Sequence, residues 1–295
     1  MKKDYRFGLL GLSLGHSLSA PIHQAALESL GLSGCYSLFP CTPEKLQSML
    51  NQMRQGILDG LNVTIPYKQT IIQWLDELTP TAKAIGAVNT IFLDNKKLFG
   101  DNTDAPGFLS DLQASDFSAP LFHQSNGSVL VLGAGGSAHA IVYALMVFEK
   151  PIIIAARRLA QAVELTASMM SLNRPRTPPL HPIKLSGEEL SKVISSFSPI
   201  QLIVNTTPVG MKPLTADTPW PSDLSLPATA AIYDLVYNPP RTRFLEKGQR
   251  ENLAIRNGLG MLVDQAALAF QRWTDIHPPR EPMFQSAIAA LTTTT

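Results

Sequence analysis

This sequence predicts a two-domain α/β fold, on three observations. The chain has 295 residues, 45% of them hydrophobic, enough for two cores at roughly 100–200 residues per domain. Its N-terminal part alternates short β-like runs with stretches of helical pattern, the rhythm of an α/β protein. Further on, a run rich in leucine and valine opens directly into a cluster of glycines and then a helical pattern.

In chain order, the strand-like run Phe7–Leu10 is followed by a helix from about Pro21 to Leu30, a strand at Tyr36–Phe39 and a helix from about Glu44 to Met53. Leu61–Thr64 reads as a strand and a helix begins near Tyr67. The strand Ala87–Phe92 then turns at Asp94-Asn95 toward Leu98-Phe99. A domain change is placed after Gly107. The polar, glycine-containing stretch His123–Ser128 precedes the strand Val129–Leu132, and a helical pattern runs from His139 to Phe148. Ile152–Ala155 is the next strand, and the polar, proline-rich stretch Asn173–Pro182 reads as a long surface loop. A last helix covers Met261–Trp273.

Composition narrows the class of partner. The formal charge is +1, from 24 basic and 23 acidic residues, so no net field draws the protein to nucleic acid or a membrane. Cys35 and Cys41 have neither redox nor zinc-site spacing, and they read as reduced thiols. The apolar segment Phe7–Leu12 is too short for a signal peptide, and no run reaches the length of a membrane span. A cytoplasmic protein with a small-molecule ligand and no metal is expected.

Gly133-Ala134-Gly135-Gly136-Ser137-Ala138 fits G-x-G-x-x-(G/A) between a strand and a helix. Gly133 permits the tight turn, Gly135 allows a pyrophosphate to approach the backbone, and Ala138 lets the helix pack closely on the strand. The helix N-terminus adds free N–H groups and partial positive charge. An ordinary glycine-rich turn is the bland alternative; the flanking elements favour a Rossmann-like dinucleotide site. In an NAD site a carboxylate ends the second strand. Here that strand runs into Ala156-Arg157-Arg158 instead. Two guanidinium groups suit the 2′-phosphate of NADP, which a planar fork can bind bidentately, although a solvated basic turn would read the same.

Four polar clusters fall at predicted strand ends, where open α/β sheets bind ligands: Gly15–Ser19, Asn62–Lys68, Ala87–Thr90 and Gly100–Asp104. Each has a structural alternative. Ser19 and Asp104 could be helix N-caps. Lys68, near a helix start, would be poorly placed for the helix dipole, which argues against a purely structural role. Gln265 lies on the apolar arc of Leu262, Ala266, Phe270 and Trp273, where it is a core amide or a ligand contact. His16 and His23 read as structural, or as supports behind the ligand-contacting residues, rather than as catalytic.

The segments Gly11-Leu-Ser-Leu-Gly-His-Ser-Leu-Ser19, Asn62-Val-Thr-Ile-Pro-Tyr-Lys68, Asn102-Thr-Asp104, Val204–Met211 and Gly260–Gln265 resemble the shikimate dehydrogenase family in order and spacing, over nearly the whole chain. Ser13, Ala20, Ala156 and Arg158 depart from the family pattern. The resemblance implies an N-terminal α/β substrate domain, residues 1–107 with 258–295, and an NADP-binding Rossmann-like domain, residues 108–257. The C-terminal helices return to the substrate domain. It also implies Lys68 and Asp104 as the catalytic pair, with Ser17, Ser19, Asn62, Thr64, Asn89, Tyr237 and Gln265 binding substrate. Thr206, Gly258 and Met261 join the glycine loop, Arg157 and Arg158 at the cofactor, in a monomer or homodimer.

The implied reaction is NADPH-dependent reduction of a ring ketone, 3-dehydroshikimate. Negative charge grows on the carbonyl oxygen as hydride arrives, and an ammonium ~4 Å away is worth roughly 4 kcal/mol at an effective dielectric of 20. Lys68 suits that role. A quinate/shikimate dehydrogenase of looser substrate choice, with NAD or dual cofactor use, is the nearest rival. A non-catalytic nucleotide-sensing protein is a second, disfavoured by the presence of Lys68 with Asp104.

Overall fold

The computed structural model describes residues 3–115, 126–196 and 199–293; His123 to Ser125 of the polar stretch before the glycine cluster therefore lie outside the described residues. The chain divides into two compact units, Met1–Gly107 with Leu262–Thr295, and Phe108–Met261.

The first unit holds β1 (Asp4–Gly11), β2 (Ser33–Pro40), β3 (Gly60–Val63), β4 (Glu77–Leu78), β5 (Thr90–Asp94) and β6 (Lys97–Asp101), in the order β2-β1-β3-β5-β6-β4. β1 pairs in parallel with β2 and β3, while β5 and β6 form an antiparallel hairpin. Its turn is Asn95-Lys96, both at positive φ, one residue later than expected. Side chains alternate across the sheet. Leu10, Leu61, Val63 and Ile91 pack with Leu46, Leu50 and Met53 of the helix Leu46–Arg54. Phe7 points the other way and stacks on Trp273 at 4.6 Å between ring centroids, while His23 stacks on Tyr36 at 4.4 Å. Trp273 belongs to the helix Leu259–Thr274, which its indole N–H ties to the Ile91 carbonyl at 3.0 Å.

The α-helix expected near Tyr67 does not form. A loop runs to Gln69, and only a 3-10 stretch, Thr70–Trp74, follows. Thr70, Ile71 and Ile72 are β-branched and lose side-chain freedom in an α-helix. The Tyr67 hydroxyl is also tied to the distant Cys41 carbonyl at 2.6 Å. Lys68 therefore sits in a loop and not at the start of an α-helix, so the unfavourable dipole expected there does not act on it.

The second unit holds β7 (Ser128–Leu132), β8 (Ile152–Ala156), β9 (Leu180–Lys184), β10 (Ile200–Asn205), β11 (Ala231–Asp234) and β12 (Ile255–Asn257). All neighbours are parallel, in the order β12-β11-β10-β7-β8-β9. This is the doubly wound Rossmann order, with its switch point between β7 and β10. β7, β8, β10 and β11 are buried along their whole length, as central parallel strands covered on both faces are. Leu130, Ile153, Ile203 and Ile232 pack with Trp220 and Phe244. Leu180, His181 and Pro182, expected in a loop, open β9. β9 is an edge strand, where a proline costs no ladder bond. Among the described residues no helix is long and apolar enough to cross a membrane, and no cluster of three His, Cys, Asp or Glu could hold a metal ion.

Candidate active site

In the first unit the loops after β3 and β6 meet the start of β5. Lys68 Nζ donates to Asp104 Oδ2 at 2.6 Å, with side chains only 13% and 6% exposed. Asp104 Oδ1 accepts from Asn89 Nδ2 at 2.9 Å. The same Asn89 nitrogen reaches Thr103 Oγ1 at 2.9 Å and Gln265 Oε1 at 3.2 Å. An amide has two hydrogens, so three acceptors compete for them and the longest contact, to Gln265, is the easiest to exchange. Gln265 is otherwise fixed by its Nε2 donating to the Leu262 carbonyl at 2.8 Å. Asn62 joins through Nδ2, which donates to the Asn89 carbonyl at 3.1 Å and to Thr90 Oγ1 at 3.2 Å, while its Oδ1 accepts from the Tyr36 hydroxyl at 2.9 Å.

Backbone bonds explain why these loops converge. The Lys68 carbonyl accepts from Val88 N at 2.7 Å, and Asn89 N donates to the Asp101 carbonyl at 3.0 Å. Asn102 Nδ2 reaches the Ala87 carbonyl at 2.9 Å. The helix Asp104–Gln113 is capped by Asn102, whose Oδ1 accepts from the N–H groups of Asp104 and Ala105. Asp104 is therefore not the N-cap. Nor is Ser19, which is the first residue of the helix Ser19–Ser29; Ser17 Oγ accepts from its N–H at 3.2 Å.

The structure joins Lys68, Asp104, Asn89, Gln265 and Asn62 in one network. Ser17 and Ser19 are instead brought to each other, 3.2 Å apart. Thr64 is half-buried at the end of β3, its N–H on the Leu10 carbonyl at 2.9 Å. His16 is exposed and His23 fully buried; burial drives the His23 imidazole down to about 3, so it packs as a neutral ring. Sequence reasoning passed over Thr90 and Thr103, whose hydroxyls lie 3.0 and 3.2 Å from Asn89 Oδ1. Both lie inside segments already singled out, and the signal was their hydroxyl next to a buried amide.

In the second unit, Gly133 has φ +113°, and an added Cβ would lie 2.4 Å from Thr206 Oγ1. Thr206 crosses the switch point, donating through Oγ1 to the Leu132 carbonyl at 2.8 Å. Gly135 has open space where its Cβ would be, at the start of the helix Gly136–Leu145. Ala134, Gly136 and Ser137 lie beside it, and Ala138 is packed beneath. Arg157 and Arg158 are exposed at the end of β8. An open, amide-lined turn followed by two exposed guanidinium groups fits a dinucleotide with a phosphorylated ribose. Gly258 and Met261 are buried, and Tyr237 is half-buried in the loop after β11.

These features define a dinucleotide-binding α/β protein whose other unit carries a shielded lysine–aspartate pair among neutral amides and hydroxyls. Residues 9–91 match the shikimate dehydrogenase substrate binding domain, and residues 258–287 the shikimate 5'-dehydrogenase C-terminal domain. The shikimate dehydrogenase (NADP(+)) of Carboxydothermus hydrogenoformans is 37% identical, over 94% of each chain; one from Thermus thermophilus is 39% identical, over 97% of this chain and 98% of its own. The chain belongs to the shikimate dehydrogenase family. Its fold is similar to that of a Thermus thermophilus shikimate 5-dehydrogenase in complex with NADP(H) and shikimate, with TM-score 0.82, 36% identity, and coverage of 97% and 99% of the two chains. It is also similar to the Corynebacterium glutamicum quinate dehydrogenase in complex with NAD, with TM-score 0.82 and coverage of 97% and 99%, at 26% identity.

Proposed function

We propose that this chain catalyses the reversible, NADPH-dependent reduction of 3-dehydroshikimate to shikimate, a step of aromatic amino-acid biosynthesis. The observation that carries the reading is the 2.6 Å pairing of Lys68 with Asp104 in surroundings that are otherwise neutral hydrogen-bonding groups. Bound NADPH supplies the hydride. Lys68 gives a proton to the carbonyl oxygen as it becomes an alcohol, and removes that proton in the reverse direction. Asp104 holds the ammonium in place. Asn89 and Gln265, joined by the longest of three competing bonds, exchange it for a substrate hydroxyl. Ser17, Ser19, Asn62, Thr64 and Tyr237 hold the remaining hydroxyls and the carboxylate.

On the cofactor side, the turn Gly133–Ala138 receives the pyrophosphate, Arg157 and Arg158 the 2′-phosphate, and Thr206, Gly258 and Met261 the other end. A cytoplasmic enzyme, monomeric or homodimeric, completes the reading; light scattering on the purified protein counts the copies. The test of activity is a spectrophotometric assay crossing shikimate and quinate with NADP⁺ and NAD⁺. Shikimate with NADP⁺ is expected to give the highest kcat/KM. Faster oxidation of quinate with NAD⁺ replaces this reading with the quinate one, and no turnover in any arm ends the enzyme claim.

A further inference from the structure

Asp234 closes β11 with a carboxylate that has no exposed surface. Its Oδ1 accepts from Asn205 Nδ2 at 2.8 Å and from Val236 N at 3.1 Å, and its Oδ2 accepts from Thr242 Oγ1 at 2.6 Å. The three donors come from three pieces of backbone. Asn205 ends β10, Val236 leads into Tyr237, and Thr242 caps the helix Arg243–Arg250 by accepting from Leu245 N. Asn205 passes the constraint on, because its Oδ1 accepts from Thr207 N at 3.0 Å and from Thr207 Oγ1 at 2.7 Å. That fixes the loop opened by Thr206. Gly258 closes from the next strand, so near the Leu235 carbonyl that an added Cβ would lie 2.2 Å away.

All three donors are neutral, so the charge on Asp234 gains no ion pair from them. Burial pushes this carboxyl from its ordinary 3.8 up to about 6 against the pull of its bonds. A buried charge that costs stability and gathers several loops at one end of a sheet belongs to a site more often than to a core.

We infer that Asp234 is a positioning residue for the half of the dinucleotide site opposite the glycine loop, holding the Thr206 loop, the Tyr237 loop and Gly258 in register at the carboxyl ends of β10, β11 and β12. This rests on the cofactor reading proposed above. A doubly wound sheet binds one mononucleotide on each half. Gly133, Arg157 and Arg158 belong to the half built from β7, β8 and β9, and Asp234 to the half built from β10, β11 and β12. Asp234 thus acts on the nicotinamide end and leaves the adenosine end alone.

The experiment compares the full-length protein with Asp234→Asn, which keeps one acceptor oxygen but turns an N–H group toward Thr242. NADPH affinity is read by fluorescence titration, and adenosine 2′,5′-bisphosphate, a probe of the adenosine end only, by calorimetry. The expected result is NADPH binding weakened about tenfold, with the bisphosphate Kd unchanged. Equal weakening of NADPH and the bisphosphate, or an unchanged NADPH Kd, overturns the inference. If the wild-type protein binds neither probe, the cofactor reading itself falls, and the inference with it. If Asp234→Asn does not fold, Thr242→Val removes one of the three bonds to Asp234 together with the helix-capping bond from Leu245 N, and it is read in the same way, with about threefold weakening of NADPH alone expected. A loss of melting temperature without that selectivity marks a structural role and also overturns the inference.

Discussion

Asn102 caps the helix that begins with Asp104: its Oδ1 accepts from the Asp104 and Ala105 N–H groups at 3.1 and 3.3 Å. Both Asp104 carboxylate oxygens are thereby left for Lys68 and Asn89. A carboxylate engaged as its own helix cap would face the backbone, whereas this one faces an ammonium group.

The first prediction concerns that pair. Lys68→Ala is expected to lower kcat by about 10²–10⁴-fold while shikimate and NADP still bind, because proton donation matters only as charge develops. Asp104→Asn should also be slow, since an amide positions a neighbour but cannot take a proton. If the two act as one unit, the double variant is little worse than the poorer single one. A folded Lys68→Ala protein with near-normal turnover removes the lysine from the mechanism.

Gln265 supplies the second. It bonds Asn89 in the buried network and offers a neutral group to substrate in both ground and transition states. Gln265→Ala should chiefly raise the KM for shikimate, with a smaller effect on kcat. Steady-state kinetics decide it, and an unchanged KM would show a core amide and nothing more.

For the cofactor, replacing Arg157 and Arg158 by alanine should weaken NADP binding about ten- to hundredfold and NAD binding far less. The motivation is two exposed guanidinium groups where an NAD site carries a carboxylate. Titration of both cofactors against both proteins reads the difference. Equal losses would mean that these arginines do not read the 2′-phosphate.

The fourth prediction is about pH and stability. Asp234 carries a folded-state pKa of about 6 against an ordinary 3.8, so between those values the folded protein holds more protons than the unfolded one. Stability from this group is fully present below pH ~4 and is lost as pH rises through about 6. Urea denaturation of the wild type and of Asp234→Asn at pH 5 and pH 7 should therefore show the wild type losing about 1 kcal/mol more than the variant over that interval. A difference that does not change with pH would show that Asp234 does not titrate there.

Much of the fold was legible because apolar runs with turn residues at their ends report local conformation directly. Val129–Leu132, Ile152–Ala155 and the helix over Met261–Trp273 each appear within a few residues of their expected place. The helix expected near Tyr67 failed for a reason periodicity does not register, a tyrosine hydroxyl bonded to a distant carbonyl and a β-branched run behind it. The strand at Leu180 was hidden because proline and histidine mark a loop everywhere except on a sheet edge.

What the sequence determined by itself is chemical identity and local form: an α/β chain, a glycine turn between strand and helix, two arginines where a carboxylate was absent, and an Asn-Val-Thr-Ile-Pro-Tyr-Lys segment with a later Asn-Thr-Asp. Those follow from side-chain type and short-range spacing. Which residues bond was decided only by the tertiary structure. Asn89 meets Gln265 across 176 positions of chain, and Asp234 gathers Asn205 and Thr242 from either side in sequence. Hydrogen bonds are short-range and directional, so their partners are set by where the sheets bring the loop ends, a distance in space that residue spacing does not encode.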